Sequence, residues 1–381
     1  MTGRVLVAVA GLGLAASCLG CAGDDARRRR MERDARYAAA ERAFSARAHA
    51  DAERLFLEVA ADAATTGDPA TRALSAYRRG QIREREGRFD EALALYREAE
   101  AHQGTERAAF AAWRQAKLII EGQGRLVEGR AALKRVIDTY PRYSAADKAA
   151  KYLGIRRQPA ELDDRGNDVE VVRWMRDAAD RHRETTVGDN LLFFAAWAQV
   201  FRLGDLGGAR ETLRTLADRY HVTPLLDDAL FLLAAIERRQ GRVDEAIAVY
   251  EALLRLRVDQ DYLVGDFRAK RLDDAALAVG LVHLHLRRDA PAAVTAFRRV
   301  IDEFPTSVFR DDAYWGLAGA QDFAGDAAGS RETLRALLGE RPDSRYARRA
   351  RDVLDGRASL PPPDASLART SLAHPQGKGE L

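Results

Sequence analysis

The residues that could do chemistry are few and far apart in this chain. His283 and His285 form a His-x-His pair, a spacing that is found in some metal sites. On a helix, two residues at this spacing point about 200° apart, so their imidazoles cannot converge on one ion. The sequence contains no His-Glu-x-x-His motif, no Gly-rich phosphate loop and no Gly-x-Ser-x-Gly elbow. We therefore expect no metal, no cofactor and no small-molecule substrate, and we predict that the chain is not an enzyme.

The two cysteines, Cys18 and Cys21, both lie close to the N-terminus. Because no cysteine follows them, the folded part has no disulfide framework and no cysteine metal site. The segment around them begins with Arg4, continues with the apolar run Val5–Leu14 and then carries small residues. This pattern predicts an export signal over residues 1–20, followed by a polar and basic tether over 21–30.

The sequence Ser17-Cys18-Leu19-Gly20-Cys21-Ala22-Gly23 resembles a bacterial lipobox, in which a small residue precedes a cysteine that receives diacylglycerol. We favour Cys21 as the attachment site because the polar pair Asp24-Asp25 follows it, and Cys18 is the alternative. The resemblance implies a membrane anchor through an N-terminal lipid. Since Ala22 follows the cysteine where retained lipoproteins carry aspartate, it further implies the outer membrane, with the protein facing the periplasm.

Two other interpretations of this segment stay open. A plain secretory signal cleaved near Ala22 would release a periplasmic protein. The second interpretation is an uncleaved membrane anchor, because the nearly uncharged run of residues 5–23 has about the length of ~20 residues that spans a bilayer. The run Arg27–Arg30 would then place the remainder in the cytoplasm as a membrane-anchored scaffold. The same run could instead contact anionic headgroups or simply begin the first helix as a solvated segment.

Composition and charge indicate an all-α protein without a nucleic-acid partner. The chain has 381 residues and a formal net charge of +3, from 61 basic and 58 acidic residues. Ala, Leu, Arg and Glu dominate, and all four favour helices. Acidic and basic residues alternate along most segments, whereas a nucleic-acid binder concentrates a basic face.

A triplet of one small, one bulky and one apolar residue recurs seven times between residues 45 and 340. A small residue lets two helices approach closely, and the bulky residue one turn later fills the space beside it. Three of the intervals between small positions are 37 residues, one of 80 contains a divergent repeat, and one of 47 contains an insertion near Asp259–Lys270. The triplets are Ala52/Phe56/Val59, Ala92/Tyr96/Ala99, Gly129/Leu133/Val136, Ala209/Leu213/Leu216, Ala246/Tyr250/Leu253, Ala293/Phe297/Val300 and Ser330/Leu334/Leu337.

Helix-ending residues separate the predicted helices. Gly-Arg pairs such as Gly87-Arg88 and Gly241-Arg242 precede the triplet helices, and glycine supplies the left-handed conformation that lets the chain reverse. Prolines such as Pro141 and Pro305 end those helices. One helix pair cannot bury its apolar faces alone, but stacked pairs can, which predicts a solenoid.

Segments such as Ala76–Ala99 and Ala229–Leu253 resemble tetratricopeptide repeats, and those around Phe304–Phe309 and Pro342–Ala347 resemble the longer repeats of cell-envelope lipoproteins. The resemblance implies an all-α, right-handed α-solenoid of about eight helix hairpins and a closing helix over residues 31–355. We predict a disordered tail over 356–381. The regular Trp of the family pattern is missing, and the repeat around Val169–Ala178 fits poorly.

The resemblance implies a scaffold that binds other envelope proteins or peptide segments in a concave groove lined by first helices. Phe194, Trp197 and Phe201 are candidate partner-binding residues there, and Trp315 is a fourth. Core packing is the alternative for this apolar stripe. The insertion Asp259–Lys270 is a candidate specificity loop. A non-catalytic regulatory subunit of an envelope enzyme is the other function class that we keep.

Overall fold

The computed structural model describes residues 35–155, 165–259 and 271–364, and every regular element in these ranges is a helix. Two of the helices, α9 and α13, continue into short π-helical turns at Gln199–Leu203 and His283–Arg287. The helices are α1 (Ala35–Ser45), α2 (His49–Thr66), α3 (Pro69–Arg85), α4 (Phe89–Glu100), α5 (Glu106–Glu121), α6 (Leu126–Thr139), α7 (Ser144–Ile155), α8 (Arg165–Arg181), α9 (Val187–Ala198), α10 (Leu206–Arg219), α11 (Leu226–Arg239), α12 (Val243–Asp259), α13 (Leu272–Val282), α14 (Ala290–Glu303), α15 (Arg310–Phe323), α16 (Ala327–Glu340) and α17 (Ala347–Leu354).

Across these ranges the helices alternate as eight pairs, each with an odd-numbered first helix and an even-numbered second helix, and α17 closes the series. The prediction of an all-α solenoid with about eight hairpins and a closing helix is therefore confirmed. The 80-residue interval between triplets contains the extra helices of the divergent repeat.

The chain divides into two compact units. Unit 1 comprises residues 1–156 and 178–191, and unit 2 comprises residues 157–177 and 192–381. Within unit 1, consecutive helices from α1 to α7 pack together, and the first helices α3, α5 and α7 also pack on one another. Within unit 2, α10 to α17 pack in succession, and the first helices α11, α13 and α15 form the corresponding row.

All members of the seven triplets are buried. Six of the seven bulky residues, Phe56, Tyr96, Leu133, Leu213, Tyr250 and Phe297, are among the largest fully buried side chains of the described part of the chain. Each lies on a second helix, where burial of an aromatic or Leu side chain contributes about 1.5–3 kcal/mol. The triplet pattern thus marks the inner faces of the second helices.

Glycines on the first helices make room for these bulky residues. A Cβ atom added to Gly80 would lie 2.7 Å from Tyr96 Cε1. One added to Gly316 would lie 2.5 Å from Phe297 Cζ, and one added to Gly280 would lie 2.6 Å from the same ring. The aromatic rings therefore reach the backbone of the facing helices.

The turns that precede the seven triplet helices share one shape. A residue with positive φ stands five positions before the small residue of each triplet. Glycine occupies five of these positions, but Arg47 has φ of 60° and Arg288 has φ of 55°. Because a side chain is disfavoured in the left-handed region, these two arginines are strained where glycine would not be.

Several predicted features lie outside the described residues, namely the export signal, Cys18, Cys21, the Arg27–Arg30 run and almost all of the Asp259–Lys270 insertion. No helix in the described ranges is long and apolar enough to span a membrane. At the start of the predicted disordered tail, Leu360 is only 8% exposed and joins an apolar cluster of unit 2, whereas the other residues of 357–364 are exposed or partly exposed.

Candidate functional site

The four aromatic residues predicted to bind partners all lie on first helices of unit 2, but they do not form one site. Phe194 is only 5% exposed and packs edge-on against Phe193, so it belongs to the core. Trp197 and Phe201 form a pair with ring centroids 4.8 Å apart, and Phe201 is 41% exposed. Trp315 stacks on Tyr346 of the closing helix, with ring centroids 5.0 Å apart.

A different group of aromatic residues lies on the first helices of unit 1. Tyr77 of α3 and Phe110 of α5 have ring centroids 6.5 Å apart, and Phe110 meets Trp113 edge-on at 6.4 Å. Tyr77 is buried, whereas Phe110 and Trp113 are partly exposed. The group therefore begins in the core of unit 1 and reaches its surface.

Four cations surround these rings. Arg107 lies 5.8 Å from the Tyr77 centroid and 5.9 Å from that of Phe110. Lys148, on α7, lies 6.0 Å from Phe110 and 5.9 Å from Trp113. Arg114 and Lys117 lie 5.5 Å and 5.8 Å from Trp113. We call this group the basic–aromatic cluster; its members are Tyr77, Arg107, Phe110, Trp113, Arg114, Lys117 and Lys148.

Two of these cations are already paired. Arg114 Nη1 donates to Glu84 at 3.0 Å, and Lys117 Nζ lies 3.5 Å from Glu121. Burial disfavours the charge of Arg114, but the Glu84 carboxylate together with the Tyr77 and Tyr96 hydroxyls outweighs burial and raises the pKa of Arg114. Glu84 also accepts a hydrogen bond from the Tyr96 hydroxyl at 2.5 Å, which holds this carboxylate in place.

The other two cations, Arg107 and Lys148, form no ion pair with any residue in the described ranges. Four positive charges stand against the carboxylates of Glu84 and Glu121 and that of Asp147, which interacts with Lys148, so the cluster carries a net charge of about +1. A cation over an aromatic face contributes about 0.5–1 kcal/mol when it is exposed. The cluster therefore presents apolar ring surface together with uncompensated positive charge.

The sequence analysis did not single out this cluster, although its signal is present in α5. Arg107, Phe110, Trp113, Arg114 and Lys117 follow one another at spacings that place them on a single helix face. The spacing in the sequence does not show that Lys148 joins this face. Only the packing of α7 on α5 brings Lys148 to the same rings.

The first helices of unit 2 begin with paired aspartates instead. These pairs are Asp227-Asp228, Asp273-Asp274 and Asp311-Asp312. Negative charge at a helix N-terminus is favourable, and the carboxylates also join neighbouring repeats. Ser307 donates to Asp273 at 2.7 Å, and Ser344 donates to Asp311 at 2.8 Å.

Asp274 is the exception in this acidic series. Its Oδ2 atom accepts from Arg271 at 3.3 Å, but its Oδ1 atom is buried without a hydrogen-bond partner in the described part of the chain. Burial raises the pKa of Asp274 to about 6, against the opposing effect of Arg271. No group of three or more His, Cys, Asp or Glu side chains in the described ranges is arranged to hold a metal ion.

The His-x-His pair divides between two environments. His283 Nδ1 lies 3.9 Å from the Asp289 carboxylate, whereas His285 Nδ1 accepts from the backbone N–H of Asp364 at 3.0 Å. Burial lowers the pKa of both imidazoles. Within the described residues the two side chains thus meet different partners.

Comparison with protein-family models finds tetratricopeptide repeats at residues 77–144, 200–259 and 274–307. The matched segments cover less than half of the chain, and they include α5 and every residue of the basic–aromatic cluster except Lys148. No curated protein sequence matches the chain significantly.

Solved structures of similar fold include the C-terminal part of a tetratricopeptide-repeat protein from Cytophaga hutchinsonii. The match has 15% identity and a TM-score of 0.42, and it covers 73% of this chain and 98% of that one. A second is the human IFIT1 dimer with PPP-AAAA, at 15% identity and a TM-score of 0.33, covering 77% of this chain and 69% of that one.

Proposed function

Because the chain contains tetratricopeptide repeats, which generally bind protein partners, we propose that it is a non-catalytic scaffold with a binding site on the first helices of unit 1. The observation that carries this proposal is the basic–aromatic cluster, in which four cations surround three rings contributed by neighbouring repeats. Tyrosine, tryptophan and arginine are the residue types that contribute most at protein interfaces.

The chemistry of the cluster favours an acidic segment that carries aromatic or large aliphatic side chains. Arg107 and Lys148 would pair with carboxylates of the partner, and the partly exposed Phe110 and Trp113 would bury its apolar residues. Single-stranded nucleic acid also binds to rings and cations, so its capture is the alternative outcome of the crosslinking test below.

The cellular setting is part of the proposal. We propose a lipoprotein anchored through Cys21, with Cys18 as the alternative, on the periplasmic side of the outer membrane. Its partners would then be other envelope proteins. The lipobox-like sequence supports this setting, whereas the uncleaved anchor of a cytoplasmic scaffold is the alternative.

The site is tested by photo-crosslinking in cells. Benzoylphenylalanine replaces Phe110 in one variant and Val222, an exposed loop residue of unit 2, in a control variant. We expect the probe at 110 to capture a protein that the probe at 222 does not, and mass spectrometry identifies its crosslinked segment. The proposal fails if both positions capture the same background or if the probe at 110 captures nucleic acid.

The anchor is tested separately by mass spectrometry of the mature N-terminus. A diacylglyceryl group on Cys21 or Cys18 is the expected result. An intact Met1 would rule out the lipoprotein and support the uncleaved anchor.

A further inference from the structure

The segment that follows α17 folds back over unit 2. After Gly356, which has φ of 73°, the N–H groups of Arg357 and Ala358 donate to the Asp352 carbonyl at 2.8 Å and 3.1 Å. The chain then continues without regular secondary structure to Asp364. There its N–H donates to His285 Nδ1, at the end of α13 and 79 residues earlier in the chain.

The middle of the segment is held by one buried side chain. Leu360 is 8% exposed and belongs to the apolar cluster of the last repeat, whose other buried members are Tyr314 and Ala318 of α15, Leu334 and Leu337 of α16 and Ala350 of α17. Three prolines follow directly, at residues 361–363. Proline has no backbone donor and a fixed φ, so this stretch favours an extended polyproline II conformation and cannot form a helix.

The length of the segment fits a path across three first helices. Seven extended residue steps from Arg357 to Asp364 span at most about 23 Å. Helices pack about 8–10 Å apart, so the step from α17 past α15 to α13 needs roughly 16–20 Å. An extended segment of this length can therefore make the crossing.

We propose that the surface formed by α13, α15 and α17 is a second peptide-binding site, which takes an extended segment with a large aliphatic residue followed by prolines, and that residues 358–364 occupy it in cis. This inference extends the proposed scaffold function to unit 2, but it does not depend on the basic–aromatic cluster. The ligand differs from the one proposed for unit 1 because its anchor is the apolar Leu360 side chain rather than a carboxylate.

A tethered segment competes with any partner. A short tether produces an effective concentration on the order of 1 mM, so a partner's proline-bearing segment binds only when it displaces residues 358–364. In the free protein, residues 358–364 then occupy this site, and a partner with a matching segment displaces them.

The test uses the full-length chain and a fluorescein-labelled peptide with the sequence of residues 357–364. Leu360→Glu in the protein replaces the buried anchor by a charge and should release the tethered segment. By fluorescence anisotropy we expect the peptide to bind this variant at least tenfold more tightly than the wild type. Val308→Glu, at a residue of unit 2 that is 65% exposed, is the matched control and should bind like the wild type.

A peptide with glutamate at the position of Leu360 should bind neither protein. Hydrogen exchange supplies the second measurement, since the amides of Ala358 and Asp364 should be protected in the wild type and exposed in Leu360→Glu. The proposal is overturned if these amides are unprotected in the wild type. It is also overturned if Leu360→Glu exposes them and the peptide still fails to bind.

Failure here can be told apart from failure of the site in unit 1. An acidic peptide with aromatic residues, bound through the basic–aromatic cluster, should have the same affinity for the wild type and for Leu360→Glu. Circular dichroism of both variants confirms that the helices remain folded.

Discussion

Units 1 and 2 are built from the same repeat, yet their first helices present opposite surfaces. In unit 1 the row formed by α3, α5 and α7 carries partly exposed rings and four cations. Two of these cations, Arg107 and Lys148, form no ion pair with a described residue. In unit 2 the first helices begin with aspartate pairs that bond to the next repeat. There the chain's own tail packs Leu360 beside Tyr314 and Ala350 and bonds Asp364 to His285. The second helices of both units bury equivalent triplets.

This difference shows how a repeat protein separates stability from binding. The second helices must keep a small residue opposite a bulky one, since each hairpin depends on its neighbours for burial. The first helices have one face that the core does not constrain. That face can carry unpaired cations in one unit and aspartates paired with arginine in the other without changing the fold.

The largest expected effect tests whether binding belongs to unit 1. Arg107→Glu combined with Lys148→Glu removes the two unpaired cations and should weaken binding of an acidic, aromatic peptide by about 100-fold, or ~2.7 kcal/mol. Arg348→Glu with Arg349→Glu makes the same change in net charge on exposed positions of α17 in unit 2. Isothermal titration calorimetry that shows equal losses for both double variants would mean that overall charge, not the cluster, drives binding.

The next effect tests whether the two units share one packing rule. Gly80→Ala in unit 1 and Gly316→Ala in unit 2 should each lower the free energy of unfolding by about 1–3 kcal/mol, since the new Cβ would overlap a buried aromatic ring. Gly339→Ala is the control, because nothing lies within 4 Å of its Cβ position in α16. It should stabilise the protein by about 0.5–1 kcal/mol in urea denaturation. A stabilising Gly80→Ala would show that the Tyr96 ring can move aside.

A smaller effect concerns the acidic helix starts of unit 2. The pKa of Asp274 is raised from 3.8 to about 6, so the folded state binds its proton more tightly than the unfolded chain does. Its contribution to stability is present at low pH and is lost as the pH rises from about 4 through 6. Asp274→Asn should therefore unfold with a free energy about 1–3 kcal/mol higher than the wild type at pH 8, and equal to it at pH 4.

The charged and titratable groups around the Asp274 carboxyl are Arg271, Asp228, Asp273 and Tyr250. Because Arg271 pairs with this carboxyl, we expect the gain in the free energy of unfolding to lie at the lower end of the range. Asp343→Asn, which makes the same substitution at an exposed position of unit 2, serves as the control. An Asp274→Asn variant that is less stable than the wild type at pH 8 would mean that the Arg271 ion pair outweighs burial.

The smallest effect concerns the hairpin turns, where each unit has one arginine at the positive-φ position that glycine otherwise occupies. Arg47→Gly in unit 1 and Arg288→Gly in unit 2 should each raise the free energy of unfolding by about 0.5–1 kcal/mol. Relief of the left-handed strain exceeds the extra entropy of glycine in the unfolded chain. Thermal denaturation checks the pair, with Arg348→Gly inside α17 as the control that should destabilise. If either turn variant lowers stability, the arginine makes a contact that offsets its backbone strain.

Much of the fold could be predicted from the sequence, but little of the candidate site could. The triplets predicted the second helices because a small residue four positions before a bulky one reflects contact within a single hairpin. Phe194, Trp197 and Trp315 were correctly placed on first helices. An apolar stripe alone, however, does not distinguish a core residue such as Phe194 from an exposed one such as Phe201.

The sequence by itself determined the helical class, the hairpin repeat and its bulky core positions, because these depend on residues close together in the chain. Only the tertiary structure decided which first-helix residues meet. Lys148 reaches Trp113, and Asp364 reaches His285, through the packing of separate helices. Contacts between repeats depend on how neighbouring hairpins stack, and no periodicity within one helix records that stacking.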